Sequence, residues 1–175
     1  MAKRYSARRY ARAVFEIALE REQLDEWQSG LERIARLSQD ETIASFLEGP
    51  DIHFKDKAKL LSETLGDINP LMLNLVYLLI TRGRFSMLAG IAREYQRLLD
   101  SYYNIERAEV TTAVPLDDED KKRLGERLSE AIGKKVIFEH GVDPSLIGGV
   151  VVRVAGKLLD GSTRGKLEAL KRELS

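Results

Sequence analysis

The feature that most constrains this chain is a change of period near Ile105. From the N-terminus to about Tyr103, apolar residues recur every three or four positions, the spacing of amphipathic helices. Beyond Ile105 they alternate, as in strands with one covered face. Two periods in one chain predict two units, a helical one over residues 1–105 and a smaller mixed one over 106–175. A length of 175 residues accommodates two small domains.

Breakers divide the helical half into six segments. The first is expected from near Ser6, a capping residue, to about Glu22. The second carries Leu24, Trp27, Leu31, Ile34 and Leu37, with Trp27 read as core. A short third, with Ile43, Phe46 and Leu47, stops at Gly49-Pro50. The fourth presents Phe54, Ala58, Leu61 and Leu65 and ends at Gly66. Asn69-Pro70 supplies an N-cap and a proline at the first helical position, and the fifth helix runs to Arg82-Gly83. The sixth carries Leu88, Ile91, Tyr95, Leu98 and Tyr102. Short connections between six helices predict a bundle.

In the second half, Val110, Thr112 and Val114 alternate with Glu109, Thr111 and Ala113, and Pro115 ends the strand. Asp117 caps a helix whose acidic first turn (Asp118, Glu119, Asp120) suits the helix dipole. That helix ends at Gly133. A strand over 135–139 follows, then a single strand over 147–158, then a charged helix with Leu167, Leu170 and Leu174. The predicted fold class is mainly α: a six-helix bundle followed by a small α+β domain of order β-α-β-β-α. Roughly 70 residues is small for independent stability, so a partner would help the second unit.

The segment 147–167 contains five glycines and invites a phosphate-loop reading. Such a loop needs glycines after a strand and at a helix start, where backbone N–H groups face the phosphates. Gly148 and Gly149 instead precede the apolar run Val150-Val151-Val152, and the Walker spacing with its Lys-Ser/Thr pair is missing. Asp160-Gly161 reads as a turn with a residue free to take positive φ. Ser162 reads as the N-cap of the last helix.

Composition narrows the function classes. Lys plus Arg and Asp plus Glu both number 28, so the net charge is zero, which disfavours a general nucleic-acid binder. No cysteine is present, which excludes disulfides and thiol catalysis. His53 and His140 lie apart, each expected in a surface helix or loop. The apolar run at 71–80 is too short to span a bilayer. Lys3, Arg4, Arg8, Arg9 and Arg12 precede any acid, but Glu16 and Glu20 follow in the same helical pattern, so the segment reads as retained structure and not a transit peptide. Helix capping accounts for the Asp117–Asp120 cluster, and neither Ser145 nor Ser162 has a histidine placed to activate it. No catalytic, metal or cofactor residue is expected.

Two helices carry more apolar surface than a bundle position needs. At about 100° per residue, Arg9, Arg12, Glu16 and Glu20 fill a polar arc of roughly 80° on the first helix. Tyr10, Ala11, Ala13, Val14, Phe15, Ile17, Ala18 and Leu19 fill nearly all the rest. The fifth helix has only Asn74 polar between Leu71 and Ile80. A surface helix needs an apolar stripe only somewhat over 100° wide. Either both helices are central and covered on all sides, or one face of each lines a groove for a partner helix, where the small Ala13 would allow close approach.

The runs Arg9-Tyr-Ala-Arg-Ala-Val-Phe15, Asn74-Leu-Val-Tyr-Leu-Leu-Ile-Thr-Arg-Gly-Arg-Phe85 and Asp160-Gly-Ser-Thr-Arg-Gly-Lys-Leu167 resemble the delta subunit of F-type ATP synthases, the family of the mitochondrial oligomycin-sensitivity-conferring protein. The resemblance spans the whole chain. It implies a non-catalytic peripheral-stalk subunit, and the lack of a convincing transit peptide favours the cytoplasmic face of a bacterial cell membrane over an organelle. The six-helix domain would grip the N-terminal helices of the alpha subunits, and the C-terminal domain would hold the ends of the b subunits. It places Tyr10, Ala13 and Leu78 in the alpha-binding groove, and helical adjacency adds Val14, Ile17, Leu75 and Leu79. On that reading Tyr10→Asp is expected to weaken binding of an alpha N-terminal peptide by several kcal/mol, roughly the cost of burying an unpaired charge. Two other classes remain: an RNA-binding helical domain using Arg4, Arg8, Arg9 and Arg12, and a small nucleotide-binding enzyme using the glycines near 148 and 161.

Overall fold

A computed structural model describes residues 2–167, with side chains from residue 7 onward. Among the described residues the first unit contains α1 (Ala2–Glu20), α2 (Leu24–Leu37), α3 (Glu41–Glu48), α4 (Phe54–Leu65), α5 (Pro70–Thr81), a 3-10 turn (Phe85–Met87) and α6 (Leu88–Tyr102). α1 starts ahead of Ser6 because Ala2, Lys3 and Arg4 are strong helix formers and nothing there breaks the helix.

Local chemistry sets the other ends. Asp40 accepts hydrogen bonds from the Thr42 and Ile43 N–H groups at the start of α3. Asn69 accepts one from Leu71 N–H, with Pro70 as the first helical residue of α5. Two cations close helix C-termini: Lys57 Nζ donates to the Gly49 carbonyl 2.7 Å away, and Arg33 donates to the Leu65 carbonyl. The core collects Trp27, Leu31, Leu79, Phe85, Leu88, Ile91 and Tyr95. Tyr95 satisfies its buried hydroxyl on the Leu24 carbonyl at 2.9 Å. The buried stripe of α6 runs through Leu99; Leu98 is half-buried and Tyr102 exposed.

The division between the units falls at Leu99–Asp100, so the last turn of α6 already belongs to the second unit, which was expected from 106. Arg107 reaches Asp100 with two guanidinium nitrogens at 2.7 and 3.1 Å, and the Lys135 N–H bonds the Asn104 carbonyl. These contacts tie residues 100–105 to the sheet that follows. That unit runs β1 (Ile105–Thr112), α7 (Asp118–Ile132), β2 (Lys135–Val142), β3 (Val150–Val154) and β4 (Lys157–Asp160), then a helix from residue 163. Leu170 and Leu174, expected on that helix, lie outside the described residues. Strand order is β2-β1-β3-β4; β1 and β2 are parallel, joined by the α7 crossover, and the other pairings are antiparallel.

The expected single strand over 147–158 is a hairpin instead. Ala155 and Gly156, at φ 50° and 77°, form its two-residue turn, and β4 extends to Asp160. Asp117 caps α7 through the Asp120 N–H, as its position predicts. Leu124, Leu128 and Ile132 of α7 cover Ala108, Val110, Val136, Val152 and Val154. His140 is not in a helix or loop: it lies in β2, its Nε2 2.7 Å from Thr112 Oγ1.

Candidate functional site

α1 and α5 lie side by side and antiparallel. At one end Arg82 Nη1 donates to Tyr10 Oη at 3.2 Å; at the other the Asn69 amide donates to Gln23 Oε1 at 3.4 Å. On α1, Ala13, Ile17 and Tyr10 fall within roughly 60° of arc, next to the buried edge that carries Val14. Ala13 is exposed, Ile17 is 36% exposed and Tyr10 is half-buried. On α5, Leu78 is 42% exposed and Leu71 half-buried, next to buried Leu75. An uncovered apolar strip therefore follows the seam between the two helices.

The seven residues expected in the groove separate by depth. Ala13, Ile17 and Leu78 stand at the surface, and Tyr10 is half in. Val14, Leu75 and Leu79, at 4%, 8% and 0% exposure, belong to the core, so they support the strip from below and do not line it. From sequence Arg82 reads as charge at a helix C-terminus, and its bond to Tyr10 was not expected. Neither was the Phe54–Tyr77 edge contact (ring centroids 5.2 Å apart), which leaves Phe54 exposed on the unit's surface. Trp27 is 1% exposed, a core residue with an unpartnered Nε1.

The N-terminal arginines are partly committed within the chain. Arg8 pairs with Glu94 at 3.4 Å and Arg12 with Glu16 at 3.3 Å. The Arg4 side chain lies outside the described ones. Among the described side chains, Arg8 and Arg12 are therefore already engaged by carboxylates, which leaves fewer open cations for phosphate.

In the second unit the glycine-rich segment closes on itself. Gly149 has φ 83°, and a Cβ there would sit 2.4 Å from the Gly161 carbonyl oxygen. The Gly161 N–H bonds the Val150 carbonyl, and the Thr163 N–H bonds the Gly148 carbonyl. Ser162 Oγ accepts from the Gly165 N–H at 3.0 Å, the expected N-cap, while Asp160 accepts from the Ser162 N–H at 2.9 Å. Space and donors that a phosphate would use are thus occupied by the chain's own backbone. Removing the cap in Ser162→Ala should destabilise this unit by about 1 kcal/mol, read as a lower midpoint in urea.

Hydrogen bonds from the Ser162 hydroxyl and then its N–H hold the Asp160 carboxyl below its ordinary range. A depressed folded pKa means the contact stabilises the turn above the ordinary value, and that contribution is lost as pH falls through the folded one. The Ser162 amide resonance should titrate with a midpoint below that of an ordinary aspartate. In Asp160→Asn that titration should vanish.

Residues 7–174 match the family model described as ATP synthase delta (OSCP) subunit. The chain is 40% identical over 177 aligned positions to the ATP synthase subunit delta of Dehalococcoides mccartyi, covering 100% of this chain and 98% of that protein. It is 39% identical to that of Gemmatimonas aurantiaca (96% and 92% covered) and 37% identical to that of Moorella thermoacetica (99% and 98%). A chain in the cryo-EM structure of the Toxoplasma gondii mitochondrial ATP synthase hexamer shares the fold, with TM-score 0.64 at 24% identity over 96% of both chains. This chain belongs to the ATP synthase delta (OSCP) subunit family.

Proposed function

We propose that the protein is a non-catalytic stator subunit of a bacterial ATP synthase. Its helical unit binds N-terminal helices of the alpha subunits, and its C-terminal unit holds the ends of the b subunits. The catalytic head then resists rotation while the central rotor turns. The observation that carries this reading is the uncovered apolar strip along α1 and α5 in a chain of this family. An amphipathic helix laid on Ala13, Ile17 and Leu78 would remove that strip from water. The seam between two rigid helices needs little reordering on binding, which favours a slow off-rate under torque.

The C-terminal unit exposes Ile147, Val114, Leu158 and Leu159, which gives a second partner apolar surface to cover. Membrane association comes through the complex, at the cytoplasmic face; no described helix is long and apolar enough to cross a bilayer. The test is capture of ATP synthase from detergent-solubilised membranes on the immobilised chain. Recovery of alpha and b together supports the reading; recovery of neither refutes it. Salt-sensitive capture of RNA in their place would favour the nucleic-acid alternative.

A further inference from the structure

The two rims of the α1–α5 seam are charged oppositely at their ends. Along α1 the row is Arg9, Ala13, Ile17 and Glu20, each about one turn from the next, spanning roughly 16 Å. Along α5 it is Arg82, Leu78 and Asn74, with Asp67 just before the helix. Because the helices are antiparallel, Arg9, Arg82 and Arg84 gather at one end. Glu20, Asp67 and Glu26 gather at the other, where Glu26 accepts from the Asn69 amide at 3.0 Å. Arg9, Glu20, Asp67 and Arg84 are exposed, and so are Arg82 and Glu26, each of which also makes a hydrogen bond within the unit.

Self-stabilisation accounts for only part of this pattern. Arg82 and Arg84 follow the C-terminus of α5 and suit its dipole. Within α1 the order runs against the dipole: no acid lies in its first turn and no base in its last, Glu20 ends it, and only Arg21, just beyond the helix, offsets this. An arrangement unfavourable to α1 alone becomes favourable against a partner with the complementary order.

We infer that the seam selects a helix by direction as well as by its apolar ridge. The occupant is an amphipathic protein helix with acidic residues in its first turns and basic residues in its last. Its acidic end lies against Arg9, Arg82 and Arg84, its basic end against Glu20, Glu26 and Asp67, and it runs parallel to α1. The inference rests on the groove reading above and adds polarity to it. The rims are solvent-exposed, so the preference weakens with salt.

The chain has no cysteine, so single-cysteine variants report position cleanly. Thr81→Cys marks the basic end and Pro70→Cys the acidic end, both at exposed sites. The probe is a synthetic amphipathic peptide of about five helical turns with an N-terminal cysteine and a leucine ridge, Glu in its first turns and Lys in its last. Its disulfide should form with Thr81→Cys about tenfold more than with Pro70→Cys at low salt, a difference of roughly 1.4 kcal/mol. The peptide with Lys first and Glu last should show the opposite preference. Adding Arg82→Glu, Arg84→Glu, Glu20→Lys and Asp67→Lys should exchange the two patterns. Binding of both peptides with equal cross-linking at both ends overturns the polarity and leaves the groove standing. Failure of both peptides to bind overturns the groove and the polarity with it.

Discussion

Leu78→Asp is expected to weaken binding of the alpha-subunit N-terminal segment by about 3 kcal/mol, roughly a hundredfold, while the free chain stays folded. Leu78 is 42% exposed on α5, so the unbound protein accommodates the carboxylate in water. Under a bound helix the same carboxylate loses its hydration, and the apolar contact is lost as well. The structure makes this a sharper test than Tyr10→Asp. Tyr10 is half-buried and accepts from Arg82 Nη1 at 3.2 Å, so Tyr10→Asp also removes a contact within the unit and mixes stability with binding. Leu79→Asp, one residue from Leu78, is expected to unfold the unit, because Leu79 is fully buried. Calorimetry with the alpha segment and circular dichroism of each variant check both statements. An affinity for Leu78→Asp within about twofold of wild type would remove the strip from the interface.

The second large effect is on stability. Gly149→Ala should cost about 2–4 kcal/mol in the C-terminal unit, from a side chain forced to positive φ and from overpacking. Its Cβ would meet the Gly161 carbonyl oxygen at 2.4 Å and the Ser162 Cα at 2.9 Å, both backbone atoms that cannot step aside. Gly141→Ala in β2 is the control, since a Cβ there meets nothing within 4 Å. Urea unfolding followed by amide resonances of β1 and β3 separates the two. A Gly149→Ala midpoint equal to that of the control would show that the closure between residues 149 and 161 does not hold the unit together.

What could be read from sequence was mostly local. Asn69-Pro70, Asp117 and Ser162 announce helix starts because a cap forms within three residues, and all three accept the expected backbone hydrogen bonds. The hairpin at 155–156 was hidden because Ala-Gly carries little turn signal, whereas Asp160-Gly161 carries a strong one. The reach of the second unit back to Asp100 depends on an ion pair between a helix end and a strand, which periodicity does not encode. The apolar excess of α1 and α5 was legible, but which of its residues reach the surface was not. α5 is apolar on nearly every side, so only the packing separates exposed Leu78 from buried Leu75 and Leu79. The link between Arg82 and Tyr10 joins positions far apart in the chain and could not be read from either alone.

The central claim is that one chain holds two partners at once, through two units. Calorimetric titration of the full chain with the alpha N-terminal segment, repeated after saturation with a soluble b-subunit dimer, tests it most directly. The account predicts that the chain binds both, and that the affinity for the alpha segment is the same with and without b. Displacement of one partner by the other, or binding of neither, would contradict it.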